Sequence, residues 1–132
     1  MNAQEREMMD QALEQALAHS RELLAICPTI TSQFTVGQDQ QAIEQLRFLL
    51  SGLGFVSQAL QLTYPLIEER GGSVSLDELP PKLEPLVEAL ENRDYPLVGD
   101  IVTYELEPIL DRWSRSLDSL VERRSTETGI DA

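Results

Sequence analysis

The side chains that could do chemistry are most concentrated between residues 94 and 105. They are carboxylates and phenol hydroxyls, groups that share protons and hold hard cations. This candidate polar site comprises Asp94, Tyr95, Asp100, Tyr104 and Glu105. Helical spacing places the last three on neighbouring turns beside an apolar stripe, so we expect at least one carboxylate to be partly buried. Asp100, Tyr104 and Glu105 form either a structural hydrogen-bond network or a ligand site, and the sequence leaves both interpretations open.

The rest of the inventory offers little to a catalytic centre, which needs a nucleophile or a metal with partners. The one histidine, His19, follows Ala16 at the spacing where a di-iron bundle would need a glutamate. We therefore expect His19 to pair with Glu22 on a helix surface, and Cys27 to be a small buried apolar residue. No glycine-rich phosphate loop is present. The sequence thus predicts no catalytic residue, metal site or cofactor, and favours a protein that is not an enzyme.

The composition limits the partners and the compartment. A formal charge of −13 repels phosphate backbones and anionic membrane surfaces, so we expect no nucleic acid or membrane partner. The single cysteine cannot form an intrachain disulfide, and the first nine residues lack a basic start followed by an apolar run. These features predict an acidic, cytoplasmic protein.

The element expected to organise the chain is a central helix from Asp39 to about Arg70. Residues 48–67 carry no charge, but interior glutamines and Pro65 disfavour a membrane span. One face of this helix is apolar at helical spacing and should meet the other helices. We predict a kink at Pro65, which removes one backbone hydrogen bond, and close approach of another helix at Gly52 and Gly54.

Three further helices are expected around the central one. The first runs from about Ala3 to Ile26 and is ended by Pro28, with an extended connector over residues 29–36. A short third helix follows over about residues 81–92. The last begins after a cap at Asp94 and is kinked one turn before Pro108. The predicted fold is an all-α, four-helix bundle-like single domain over residues 1–124, with a disordered tail over residues 125–132.

A second apolar row on the central helix predicts an interface. Phe48, Phe55 and Leu62 recur every seven residues, offset from the face that packs on the other helices. Because the third helix is short, part of this row is expected to remain open, and exposed apolar patches commonly mark interfaces. We therefore predict a homodimer, or a different protein partner in its place.

Two stretches resemble a family of small, acidic, all-helical bacterial proteins of unknown function. They read FTVGQDQQAIEQLRFLLSGLGF and DYPLVGDIVTYELEP, and the resemblance spans residues 34–113. The residues that carry it are Phe34, Gly37, Asp39, Gly52, Leu53, Phe55, Asp94, Tyr95, Asp100, Tyr104, Glu105 and Pro108. The resemblance implies one helical domain and no activity.

Two functions follow as expectations. The first is a non-enzymatic protein–protein interaction module, an adaptor or chaperone-like bundle, that meets a partner or its own copy. The alternative is a small-ligand-binding or enzymatic helical protein that uses Asp100, Tyr104 and Glu105. The absence of a nucleophile and metal set in the sequence favours the first.

Overall fold

The computed structural model describes the backbone of residues 1–131 and the side chains of residues 1–123. Every regular element in this part of the chain is helical, as the predicted all-α single domain requires. The elements are α1 Ala3–Thr35, α2 Asp39–Leu62, α3 Tyr64–Glu69, α4 Pro80–Glu91, α5 Tyr95–Ile101, a π-helical segment Val102–Leu106 and α6 Glu107–Asp131. The disorder predicted for residues 125–132 concerns residues whose side chains lie outside the described part.

Helix α1 passes straight through Pro28, so the predicted end there and the extended connector after it are both wrong. Proline inside a helix loses one backbone hydrogen bond and costs about 3 kcal/mol. The cost is offset because the apolar face continues past it: Cys27, Ile30 and Phe34 are all buried. Burying one large aliphatic or aromatic side chain contributes roughly 1.5–3 kcal/mol, so Ile30 and Phe34 together match the loss.

The middle of the bundle is α1 rather than the segment from Asp39 to Glu69. Helix α1 packs along α2 on one side and along α6 on the other, and it also contacts α5 and the π-helical segment. Its buried positions follow helical spacing from Leu13 to Phe34. Helix α2 is consequently covered mainly on the side that faces α1, and its other side is left open.

The predicted interruption of the long helix is confirmed, and the break lies at Thr63, between α2 and α3. Pro65 removes the amide that would bond the carbonyl of Gln61. The hydroxyl and the amide of Thr63 both donate to the carbonyl of Ala59, at 2.7 and 3.0 Å, at the end of α2. Gly71 then takes a φ of 71°, the left-handed conformation expected at the close of α3.

A buried ion pair fixes this end of the bundle. The guanidinium of Arg70 lies 2.6 Å from the carboxylate of Asp10 on α1, and both side chains are almost fully buried. Arg70 also donates to the carbonyl of Leu120 on α6. One side chain therefore joins the end of α3 to both neighbouring helices.

The carboxyl-terminal half is interrupted one turn before Pro108, as predicted. Because Pro108 has no amide hydrogen, the turn widens, and the amide of Glu107 donates to the carbonyl of Val102, five residues back. Trp113 on α6 is buried, and its indole nitrogen donates to the carbonyl of Ser75 at 3.0 Å. That bond holds the connector between α3 and α4 against the core.

Candidate functional site

The predicted interface row lies on the open side of α2. Phe48, Phe55 and Leu62 are 45%, 50% and 67% exposed, although each large apolar side chain would contribute roughly 1.5–3 kcal/mol if fully buried. Seven residues make about two helical turns, so the three side chains lie on the same side of α2. The intervening positions Leu49, Leu53, Val56 and Leu60 are buried against the rest of the bundle. The row is thus an apolar surface that residues 1–123 leave about half exposed or more.

A recess of about 500 Å³ lies between this row and α1. Its centre is the imidazole of His19, which meets the rings of Phe48 and Phe55 edge to face at 5.9 and 5.3 Å between centroids. This geometry suits the charge distribution of aromatic rings. His19 Nδ1 lies 3.3 Å from the carboxylate of Glu22, the surface pair that the sequence predicted. The imidazole is oriented by these neighbours.

Gly52 lines the recess at a point where α1 and α2 lie close together. A Cβ at Gly52 would lie 2.5 Å from the side chain of Leu23 and 2.8 Å from that of His19. The predicted close approach is therefore confirmed at Gly52. It is wrong at Gly54, which points into open space and has no atom within 4 Å of a Cβ position.

A second recess continues the apolar surface toward the amino end of α1. It has a volume of about 300 Å³ and is lined by Glu5, Met8, Met9, Ala12, Leu62 and Thr63. Met8 is 64% exposed. The two recesses are joined by the row on α2, which extends roughly 21 Å from Phe48 to Leu62 at 1.5 Å per residue. The charged residues in their linings are Glu5 in one and Glu22 in the other.

The contribution of α1 to this surface is what the sequence reasoning missed. Met8, Ala12, Gln15 and His19 recur at spacings of four, three and four, which places them on one helix face. The sequence does not identify this face as apolar, because alanine is small and glutamine is polar at positions 12 and 15. This face lies next to Phe48 and Leu62 only because α1 and α2 pack antiparallel in one particular register. That register cannot be read from the sequence.

The candidate polar site is dispersed by the structure. Asp94 caps α5 by accepting from the amide of Leu97 at 3.3 Å, as predicted. The ring of Tyr95 stacks on Phe34 with 5.1 Å between centroids. Both residues therefore have structural partners within the chain.

The other three residues of the candidate polar site, on α5 and the π-helical segment, differ in their exposure and in their partners. Asp100 is exposed, and Tyr104 is 72% exposed. Glu105 is half-buried, as expected for one carboxylate, and lies 2.8 Å from the ammonium of Lys82 on α4. That ion pair ties α4 to the π-helical segment.

Tyr95 and Asp100 are the two members that line a common recess. Its volume is about 350 Å³, and its other walls are Thr31, Phe34, Thr35, Pro96 and Gly99. The hydroxyls of Thr31 and Thr103 lie 3.0 Å apart near its edge, so they satisfy each other. Asp94, Tyr104 and Glu105 do not line this recess.

Neither metal chemistry nor thiol chemistry has a centre in the described residues. Among them, no group of three or more His, Cys, Asp and Glu side chains is arranged to hold a metal ion. Cys27 is fully buried. Burial, and to a smaller degree the charge of Glu107, raises the pKa of its thiol from 9.0 to about 12. The thiol is therefore protonated at neutral pH and is the buried apolar residue that the sequence predicted.

Within the described residues, no helix is both long enough and apolar enough to span a bilayer. The charge-free residues 48–67 contain Gln58 and Gln61, and they are divided between α2 and α3 by the break at Thr63.

Comparison with known proteins places the chain in a family. The family model described as a domain of unknown function (DUF8042) matches residues 11–116, which include most of α1 and all of α2 to α5. The chain belongs to this family of unknown function. Neither the curated proteins nor the solved structures contain a match.

Proposed function

We propose that this DUF8042 member is a non-enzymatic protein–protein interaction module, an adaptor or chaperone-like helical bundle. It binds another protein chain through the docking row, which consists of Phe48, Phe55 and Leu62. The observation that carries the proposal is the exposure of all three side chains on a helix whose remaining apolar side chains are buried or partly buried. An exposed apolar row on one helix of a packed pair is the kind of surface that commonly marks a protein interface.

The structure of the docking row suits binding better than catalysis. Its polar neighbours are His19, Gln15 and Ser51, and His19 is held by aromatic edges and Glu22. Aromatic side chains supply large contact areas at low entropic cost and are enriched at interfaces. A partner that covers Phe48 and Phe55 would use the free energy that the isolated chain leaves unrealised.

The setting of this module follows from the composition and from the resemblance found in the sequence. We propose a bacterial, cytoplasmic protein, because one buried thiol needs no oxidising compartment. The charge of −13 favours protein partners over nucleic acid.

A small-ligand site is the second candidate, and one observation favours it. The recess of about 350 Å³ holds one carboxylate, from Asp100, beside the stacked rings of Phe34 and Tyr95. A flat ligand with a positive charge would match these walls.

The experiment that tests the module is affinity capture of tagged protein from cells that also express an untagged copy. The expected result is a stoichiometric protein chain, either a different protein or the untagged copy, that is lost with Phe55→Glu. Gln61→Glu is the matched control, because it adds the same charge to an exposed position of α2 away from the row. Recovery of a small molecule without any stoichiometric chain would contradict the module and favour the Asp100 recess.

A further inference from the structure

The partner that covers the docking row can be specified further, on the basis of the proposed function. We propose that it is a second copy of this chain, with the two α2 helices antiparallel across a twofold axis at Phe55. Closed twofold pairing uses one surface twice, so the surface must be complementary to itself. Three properties of α2 meet that requirement: its spacing, its charge and its contour.

The spacing of the docking row is symmetric about its central residue. Phe48 and Leu62 lie seven residues before and after Phe55. In an antiparallel pair centred on Phe55, each Phe48 therefore faces Leu62 of the second copy, and the two Phe55 rings meet at the axis. A seven-residue repeat is the one that two helices follow when they pack side by side at a shallow angle.

The charge distribution favours a second copy over a basic partner. Two chains of charge −13 repel each other over most of their surfaces. Residues 48–67 carry no charge, so the part of α2 that holds the docking row adds nothing to this repulsion. A basic partner would be held by carboxylates, and α2 presents none between Phe48 and Leu62. The two carboxylates in the flanking recesses belong to α1, where Glu5 accepts from Asn2 and Glu22 pairs with His19.

The contour of α2 permits a close approach by another helix. Gly54 faces open space, and Ser51 is small and exposed beside Phe55. Small residues next to a row of large ones allow two helices to pack 8–10 Å apart. The recess of about 500 Å³ next to His19 opens on the same side and provides room for a ring from the second copy.

The first test is the molar mass of the pure protein by light scattering and sedimentation equilibrium. We expect twice the chain mass of 14.8 kDa. Phe55→Glu should weaken the dimer by about 100-fold, since it places two unpaired carboxylates at the axis. Gln61→Glu should leave the dimer intact. Circular dichroism checks that each variant is folded, and Leu62→Glu, at a more exposed position, replaces Phe55→Glu if that variant unfolds.

The salt dependence gives a second readout with a definite sign. Salt screens the repulsion between two acidic bodies, so the dimer should tighten as ionic strength rises. An interface held by ion pairs would weaken under the same change.

The third test fixes the direction of the helices by disulfide formation between Phe48→Cys and Leu62→Cys chains. A mixture of the two variants should form a mixed disulfide, whereas either variant alone should not cross-link, because equal positions lie about 21 Å apart along the axis in the antiparallel pair. The buried Cys27 does not compete. Cross-linking of each variant with itself would show a parallel pair and overturn the proposed arrangement.

The outcomes separate this inference from the proposed function. A pure protein that is monomeric at high concentration, together with capture of a different chain through Phe55, would overturn the homodimer and leave the interaction module standing. A dimer that Phe55→Glu does not weaken would overturn the homodimer through this row, and the capture experiment would then decide the module alone.

Discussion

The docking row on α2 and the polar run from Asp94 to Glu105 differ in how completely the chain satisfies them. The polar run drew attention first, yet Asp94 caps a helix, Tyr95 stacks on Phe34 and Glu105 pairs with Lys82. The docking row consists of ordinary apolar residues, but its three side chains remain about half exposed or more. Exposed apolar side chains leave hydrophobic free energy unrealised, whereas Asp94, Tyr95 and Glu105 already have partners within the chain, and for this reason we propose the docking row as the binding surface.

The largest expected effect tests whether polar groups stabilise this fold mainly where they are buried. Arg70→Met should lower the free energy of unfolding by about 3–5 kcal/mol, because it leaves the carboxylate of Asp10 buried without its cation. Urea unfolding followed by circular dichroism measures it. Exposed ion pairs typically contribute less than about 1 kcal/mol. A loss that small would mean that the pair of Arg70 and Asp10 is solvated and stabilises the fold no more than an exposed pair does.

A smaller effect sharpens the account of the surface beneath the docking row. Gly52→Ala should destabilise the protein by about 1–3 kcal/mol, because the added methyl group would overlap Leu23 and His19. Gly54→Ala is the matched control on the open side, and it should stabilise the helix by roughly 0.5–1 kcal/mol. The same unfolding assay compares them. Equal effects of the two substitutions would show that α1 and α2 do not approach closely at Gly52.

The smallest effect concerns the polar run itself. Glu105→Gln should cost about 0.2–1 kcal/mol through the half-exposed pair with Lys82, and Glu107→Gln should cost less. Thermal unfolding of both variants at low and high salt measures the difference, which salt should reduce. A loss of several kcal/mol at Glu105 would show a buried network there and reopen the case for a ligand site.

The sequence predicted the elements whose signals are local. The cap at Asp94, the left-handed close at Gly71 and the interruption before Pro108 each depend on a few neighbouring residues, and all three are present. The docking row was also visible, because seven-residue spacing is a property of α2 alone. Local chemistry and periodicity therefore carried most of the fold class.

The sequence failed where tertiary packing overrides local preference. Pro28 disfavours a helix locally, but burial of Ile30 and Phe34 against the bundle continues α1 past it. The charge-free stretch of α2 suggested that α2 is the central helix, whereas α1 occupies the middle of the bundle. Helix α1 can occupy the centre because it is long enough to contact both α2 and α6. The predicted end at Pro28 made α1 too short for that position.

The central claim is that the docking row on α2, and not the polar run, is the functional surface. The most direct measurement is quantitative capture of the partner chain by four proteins compared side by side: wild type, Phe55→Glu, the control Gln61→Glu, and the double variant Asp100→Asn with Glu105→Gln. The account predicts that Phe55→Glu alone loses the stoichiometric chain. Loss with the double variant and retention with Phe55→Glu would contradict it.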